Sequence, residues 1–272
     1  MLEELIQSVL NQTYPYFELC FAEVAQNEEC IALLKKYQKI DNRIKVRYMP
    51  TNGGISIDSN ACLEQATGDY IALLDHDDLI SPDALFENAK MINEDDYDFI
   101  YSDKDKIDEH GRHYEPMFKP AWSPEIMFNS NYLTHLNVFK HSLIKQIGGW
   151  RTSTDGAQDW DLFLRLITVS KKVGHIPKIL YHWRVLETST AHSIMAKPYA
   201  LEGQRNAITY SANKNGLNVN VTHTRDGFLG LSWKDQEINQ KILILYITNM
   251  DMRDANKKLS RQLKGVKFDY EI

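Results

Sequence analysis

The residues with the most chemical potential sit in one short run, Asp75-His76-Asp77-Asp78. Three carboxylates in so few positions repel one another. They follow an apolar stretch, 70–74, that reads as a strand buried on both faces. Ligands of open α/β sheets gather beyond the carboxyl ends of strands. A hard divalent cation, Mg2+ or Mn2+, would relieve the repulsion and bridge to phosphate oxygens. A solvated acidic turn would use the same residues. A second pair, Asp159 and Asp161, opens an amphipathic helix in Gln158-Asp159-Trp160-Asp161. The positive end of a helix favours carboxylates there, and the position also suits a general base; spacing does not choose between the two. Third comes Tyr181-His182-Trp183-Arg184. Its rings suit the C–H faces of a sugar, Arg184 or His182 could hold phosphate, and His182 could ligate a metal. Core aromatics beside a paired arginine are the plainer alternative.

These groups need elements to carry them. Leu2, Leu5, Ile6, Val9 and Leu10 recur at helical spacing, 17–24 and 44–49 read as strands, and Cys30, Leu33, Leu34 and Tyr37 mark a helix between them. Thr51-Asn52-Gly53-Gly54 is a turn before a further helix. Ser81-Pro82-Asp83 and Ser123-Pro124-Glu125 both follow helix-start grammar. Strands are expected at 99–102, 136–139 and 176–183, and helices at 141–147, 159–169 and 200–212. This alternation predicts βαβ units and an α/β fold with a mostly parallel central sheet flanked by helices. After Asn215-Gly216 the grammar changes. Short β segments at 219–221 and 228–233 read as a linker over 213–239, and 240–272 reads as a β-α-β appendage with strands at 241–247 and 267–272 and a helix near 254–263.

Composition narrows the classes. The chain has 272 residues, 43% of them hydrophobic and 11% aromatic, which excludes disordered and collagen-like chains. A net charge of −6 argues against a general nucleic-acid partner. Three cysteines, Cys20, Cys30 and Cys62, have no metal-knuckle spacing, so a disulfide framework is not expected and a reducing compartment is favoured. No apolar run approaches the ~20 residues of a membrane span, and the N-terminus lacks the pattern of a signal peptide. The expected place is the cytoplasm, including the inner face of the plasma membrane.

Taken together, the motifs resemble family 2 glycosyltransferases of the GT-A fold, from residue 2 to about 212. The likeness lies in Asn52-Gly53-Gly54-Ile55-Ser56, in 68–82 (GDYIALLDHDDLISP), in Tyr101-Ser102-Asp103-Lys104-Asp105 and in 118–124 (FKPAWSP). It continues through Gly148-Gly149-Trp150, 158–165 (QDWDLFLR), 175–184 (HIPKILYHWR) and Lys197-Pro198-Tyr199-Ala200. The look-alikes are bacterial enzymes of cell-surface polysaccharide assembly, often with tandem transferase domains. The resemblance implies a UDP- or dTDP-sugar donor, a saccharide or lipid-linked saccharide acceptor, and an inverting reaction with Mn2+ or Mg2+. Asp75-His76-Asp77 matches the DxD motif, with Asp77 and Asp75 as metal ligands alongside His182. Asp159 matches the catalytic base, with Asp161 as the fallback. Trp160 would line the acceptor side. Glu23, Asn52, Gly53, Gly54, Asp75, His76, Asp103 and Arg184 would line the donor site, with Asp105 nearby.

Two departures fall on the nucleotide pocket. Family members begin with a strand that this chain lacks ahead of its first helix. They also end the second strand with two acids, where Glu23-Val24 stands here. The tail 241–249 (KILILYITN) resembles the missing strand. It is expected to fill the empty position within one chain or across a homodimer. The alternative to an active transferase is a catalytically impaired remnant that binds saccharide or partner chains.

Overall fold

The computed structural model describes residues 1–24, 27–185, 198–223 and 229–233, together with Arg253, Asp254, Lys257, Lys258 and Arg261. Helix α1 (Leu2–Leu10) buries Leu5, Ile6 and Val9. They meet Leu34 and Tyr37 of α2 (Glu28–Ile40) and Ile44 of β2 (Ile44–Met49). Strand β1 (Leu19–Val24) runs parallel to β2, as a helical crossover requires. Helix α3 (Ile55–Gln65) lies against this pair, and the Gln65 amide donates to the Phe21 carbonyl at 2.9 Å.

The larger sheet has six strands: β3 (Tyr70–Ala72), β4 (Leu79–Ile80), β5 (Phe99–Ile107), β6 (His113–Met117), β7 (Asn137–Lys140) and β8 (Val173–Arg184). Their order is β3-β7-β5-β8-β4, with β6 attached to β5. The α/β class holds, but this sheet is mixed rather than mostly parallel. Only β5 and β8 are parallel in it, whereas β3–β7, β5–β7, β4–β8 and β5–β6 are antiparallel. The reason lies in the connections. A short turn joins β5 to β6, and such links return the chain antiparallel.

Strand β5 runs well past the expected 102. Charges at Asp103, Lys104 and Asp105 ended the sequence reading, yet all three are buried. Each carboxylate has an imidazole partner on β8: Asp103 meets His175 at 2.8 Å and Asp105 meets His182 at 2.6 Å.

Helices α4 (Ala84–Asp95), α5 (Pro124–Asn129), α6 (His141–Gln146), α7 (Gln158–Val169) and α8 (Pro198–Lys214) surround the sheet. The main core joins Phe99 and Phe139 to Leu162, Phe163 and Leu166 of α7. The Phe99 ring stacks on Phe139 and meets Phe163 edge-on. The hairpin β9 (Val219–His223) and β10 (Leu229–Trp233) adds Val221, Leu229 and Leu231 to this core. It lies within the first compact unit, 1–234. Apolar residues alternating along the hairpin bury one of its faces, which is why it packs. In the second unit, 235–272, Arg253, Asp254, Lys257, Lys258 and Arg261 are helical. The expected strands 241–247 and 267–272 lie outside the described residues.

Among the described residues β1 pairs only with β2, and β3 only with β7. The Leu19 N–H donates to Arg43 on the β2 side, so alternation turns the peptide groups of Cys20 and Ala22 to the opposite edge. His141 donates to the Asp69 carbonyl and the Leu73 N–H to Asn137, so Tyr70 and Ala72 turn theirs outward as well. These edges line one groove of about 700 Å³, together with Leu5 and Val9 of α1 and Cys62 and Leu63 of α3. The run 70–74 is therefore not buried on both faces as expected. Ala72 is exposed and lines the groove.

The approach of α7 to α8 depends on Gly156, whose φ is +86° and whose missing Cβ would lie 2.7 Å from the Ala200 Cα. Strain and a backbone clash both oppose a side chain there. Gly156→Ala is expected to lower the unfolding free energy by about 1–3 kcal/mol, read from the urea midpoint at unchanged m.

Candidate active site

The 75–78 turn is tied to β8 by hydrogen bonds. The Asp75 N–H donates to the Tyr181 hydroxyl at 3.2 Å, and that hydroxyl donates to Asp78 at 2.5 Å. The other Asp78 oxygen accepts the Arg184 N–H at 2.7 Å. Burial, opposed by these two bonds, pushes the Asp78 carboxyl up to about 7. Asp78 thus closes the turn from inside and leaves Asp75 and His76 exposed at its rim.

Asp75, His76, His135, Trp150, Gln158 and Asp159 line one end of the groove. Although its side chain reaches solvent, desolvation by the protein groups packed around it and then the nearby Asp77 raise the Asp75 carboxyl above the usual range. His135 lies 3.7 Å from Asp75 and stacks on Tyr181. Burial, with Lys104 and Lys119 close by, lowers His135 to about 3. The contact with Asp75 is therefore one of a neutral imidazole with a carboxylate, not an ion pair. Burial also lowers Lys104 to about 8, against the pull of Asp78 and Asp75. Lys119 falls to about 6 and donates to the carbonyls of Leu133 at 3.0 Å and His135 at 2.6 Å.

Asp159 stands in the first turn of α7. Burial raises it to about 7, and the charge of Asp75 pushes the same way. The buried Trp150 indole N–H favours its ionised form but stays outside hydrogen-bond geometry. Trp150 is itself held by Asn60 of α3, whose amide bonds both its N–H and its carbonyl. Two acids distant in sequence thus meet across one cleft.

The other residues singled out in the sequence divide. Glu23, at the end of β1, is raised by burial and feels the charge of His76. The Asn52 side chain accepts the Gly54 N–H at 2.8 Å, shaping the turn before α3. The missing Cβ of Gly54 would lie 3.2 Å from Asp155, whose other oxygen accepts the Ser56 hydroxyl. Arg184 donates to the Asp77 carbonyl at 2.8 Å and to Glu4 at 2.6 Å, which braces the turn against α1.

Asp161 is enclosed by Arg151 and Arg165, and Arg165 also holds the carbonyls of Ile147 and Gly149. It lies away from the cleft lining. The Trp160 indole donates to the Met127 carbonyl inside the core rather than facing the cleft. Asp103 is buried and accepts the Lys119 N–H and a contact from His175. His182 meets Asp105 and does not line the cleft. Sequence reading missed the structural work of Tyr181, Asp78, His135 and Lys119. Tyr181 and Asp78 were visible in their motifs but not their mutual contact. Lys119 likewise stood in the 118–124 motif without its contacts, whereas for His135, separated from the motifs, no local signal existed.

Asp75 and Asp77 offer the oxygen donors a hard cation takes, and such a cation would offset the burial and the Asp77 charge that disfavour the Asp75 anion.

A profile of the family described as glycosyl transferase family 2 matches residues 1–147. The chain belongs to that family. The Sinorhizobium fredii protein y4gI is 42% identical over 212 residues, 76% of this chain and 23% of that protein. The O-antigen biosynthesis protein RfbC of Myxococcus xanthus is 30% identical over 223 residues, 81% of this chain and 18% of that protein. The chain therefore spans less than a quarter of these relatives. S. aureus TarS 1-349 in complex with UDP-GlcNAc superposes with a TM-score of 0.61 at 20% identity, over 77% of this chain and 62% of that one. The mannosyltransferase PcManGT of Pyrobaculum calidifontis, in complex with GDP-Man and Mn2+, gives 0.57 at 16% identity, over 76% and 60%. The fold is that of GT-A glycosyltransferases. No helix among the described residues is long and apolar enough to cross a membrane.

The two acids of α7 should part in their effects on stability. Asp161→Ala strands two arginines and is expected to cost about 3–5 kcal/mol in urea unfolding. Asp159→Asn removes a buried charge that no cation among the described residues neutralises and is expected not to lower stability at pH 8.0, taken as about one unit above the Asp159 value.

Proposed function

We propose that the chain is the catalytic unit of a metal-dependent, inverting glycosyltransferase. It would move a sugar from a nucleotide-sugar to a saccharide acceptor in cell-surface polysaccharide synthesis, on the cytoplasmic side. What carries the reading is the meeting of Asp75 and Asp159 in one cleft, close enough for the charge of one to raise the other. In this reading Asp75 and Asp77 hold Mn2+ or Mg2+, which when bound neutralises the diphosphate of the donor. Asp159 accepts the proton of an acceptor hydroxyl as that oxygen attacks the anomeric carbon. The bond from that carbon to the diphosphate oxygen breaks with its electron pair on the oxygen. Attack opposite the leaving group inverts the centre. In this reading Glu23, Asn52, Gly53 and Gly54 would contact the donor. TarS with UDP-GlcNAc and PcManGT with GDP-Man and Mn2+ have this fold and support a nucleotide-sugar donor. RfbC supports the polysaccharide role.

A base raised to about 7 gives a defined pH profile. Ionised Asp159 prevails above that value, so kcat/KM is expected to climb as pH rises through about 7 and then level off. Asp159→Asn is expected to cut transfer from UDP- or dTDP-sugars about 10²–10⁴-fold with an unchanged circular dichroism spectrum. Full activity in that variant defeats the assignment. The edges of β1 and β3, uncovered among the described residues, favour a second reading, a remnant that binds saccharide or partner chains without turnover. Calorimetry separates the two, since a remnant gives no metal-dependent heat with the donor.

A further inference from the structure

His182 stands in a second constellation, apart from the cleft. Strands β6, β5 and β8 lie side by side in the sheet. Asp105 of β5 is registered directly opposite His182 of β8, and Ile107 opposite His113 of β6. Side chains two apart on a strand share a face, so Asp105, His113 and His182 converge on one side of the sheet. The Asp105 carboxylate is divided between the two rings: Oδ1 lies 2.6 Å from His182 Nδ1, and Oδ2 lies 2.8 Å from His113 Nδ1. The ring centroids are 4.5 Å apart, and one ligand atom from each residue lies within 4.8 Å of the others.

The surrounding charges fit a cation. Lys104 and Lys106, at the alternate positions of β5, turn to the other face and lie over the Trp183 ring at 4.6 and 5.7 Å. Their positive charge is thus segregated from the cluster by the period of the strand. Asp105 and His182 are nearly buried and fixed by the sheet, whereas the His113 side chain is 55% exposed and keeps the site open to solvent. Two imidazoles and one carboxylate are donors for zinc-class ions, not for Mg2+, which takes oxygen. Three protein ligands leave a fourth position of a tetrahedral ion free.

We propose that Asp105, His113 and His182 form a transition-metal site of the Zn2+ class, separate from the carboxylate cleft, that fastens the exposed β6 strand to the sheet. The site does not depend on the proposed transferase reaction, because none of its ligands lines the cleft.

Co2+, a spectroscopic stand-in for Zn2+, is titrated into the full chain in excess Mg2+, and the visible d–d band is recorded. The band is expected in the wild type and in Asp77→Ala, and is expected to be lost in His113→Ala, a substitution at an exposed position that keeps the fold. Zn2+ is likewise expected to raise the melting temperature of the wild type and of Asp77→Ala but not of His113→Ala. No band in the wild type, a band that survives in His113→Ala, or one that Asp77→Ala also abolishes overturns the proposal.

Discussion

The candidate site depends on how a crowded set of carboxylates is held at the end of a strand. The Tyr181 hydroxyl resolves this by accepting from the Asp75 backbone and donating to Asp78. Asp78 is thereby turned inward and spent on structure. Arg184 completes the arrangement, reaching from the last position of β8 to the Asp77 carbonyl and to Glu4 on α1. The turn gains three anchors from one strand, and the side chains left at the rim are those with chemistry to offer. Without these anchors the repulsion among Asp75, Asp77 and Asp78 would splay the turn.

The opposite wall is held by a different logic. Asp159 and Asp161 stand two residues apart on α7, yet their surroundings differ completely. Asp161 sits between two guanidinium groups that also grip the backbone of the Gly148-Gly149 turn. Asp159 has no cation beside it among the described residues and faces another acid across the cleft. One carboxylate is therefore held by two guanidinium groups as part of the structure, while burial raises the other to about 7. Behind the cleft, Lys119 is spent on the carbonyls of Leu133 and His135, and it helps keep the His135 ring neutral beside Asp75.

Much of this was legible from residue order. The α/β class, the helices with clear start signals, the acidic turn and the acid-bearing helix all follow from local chemistry. What the sequence hid was contact. Strand β5 looked finished at 102 because Asp103 and Asp105 are charged; only the imidazoles of β8 explain their burial. Trp160 and Asp161 looked like cleft residues by proximity to Asp159, but a helix turns each successive side chain by about 100°, and these two point into the core. Strand direction was misjudged for a related reason. Alternating strands and helices suggest parallel pairing, while β6 and β7 enter through connections too short or too irregular to cross over.

The groove between β1 and β3 has a further meaning for how the molecule behaves in company. Alternate peptide groups along Cys20–Ala22 and Tyr70–Ala72 present donors and acceptors at the spacing of a sheet, with no strand seated between them among the described residues. Such a ladder is a template: any extended polypeptide meeting it can zip into register, whatever its sequence beyond an apolar character.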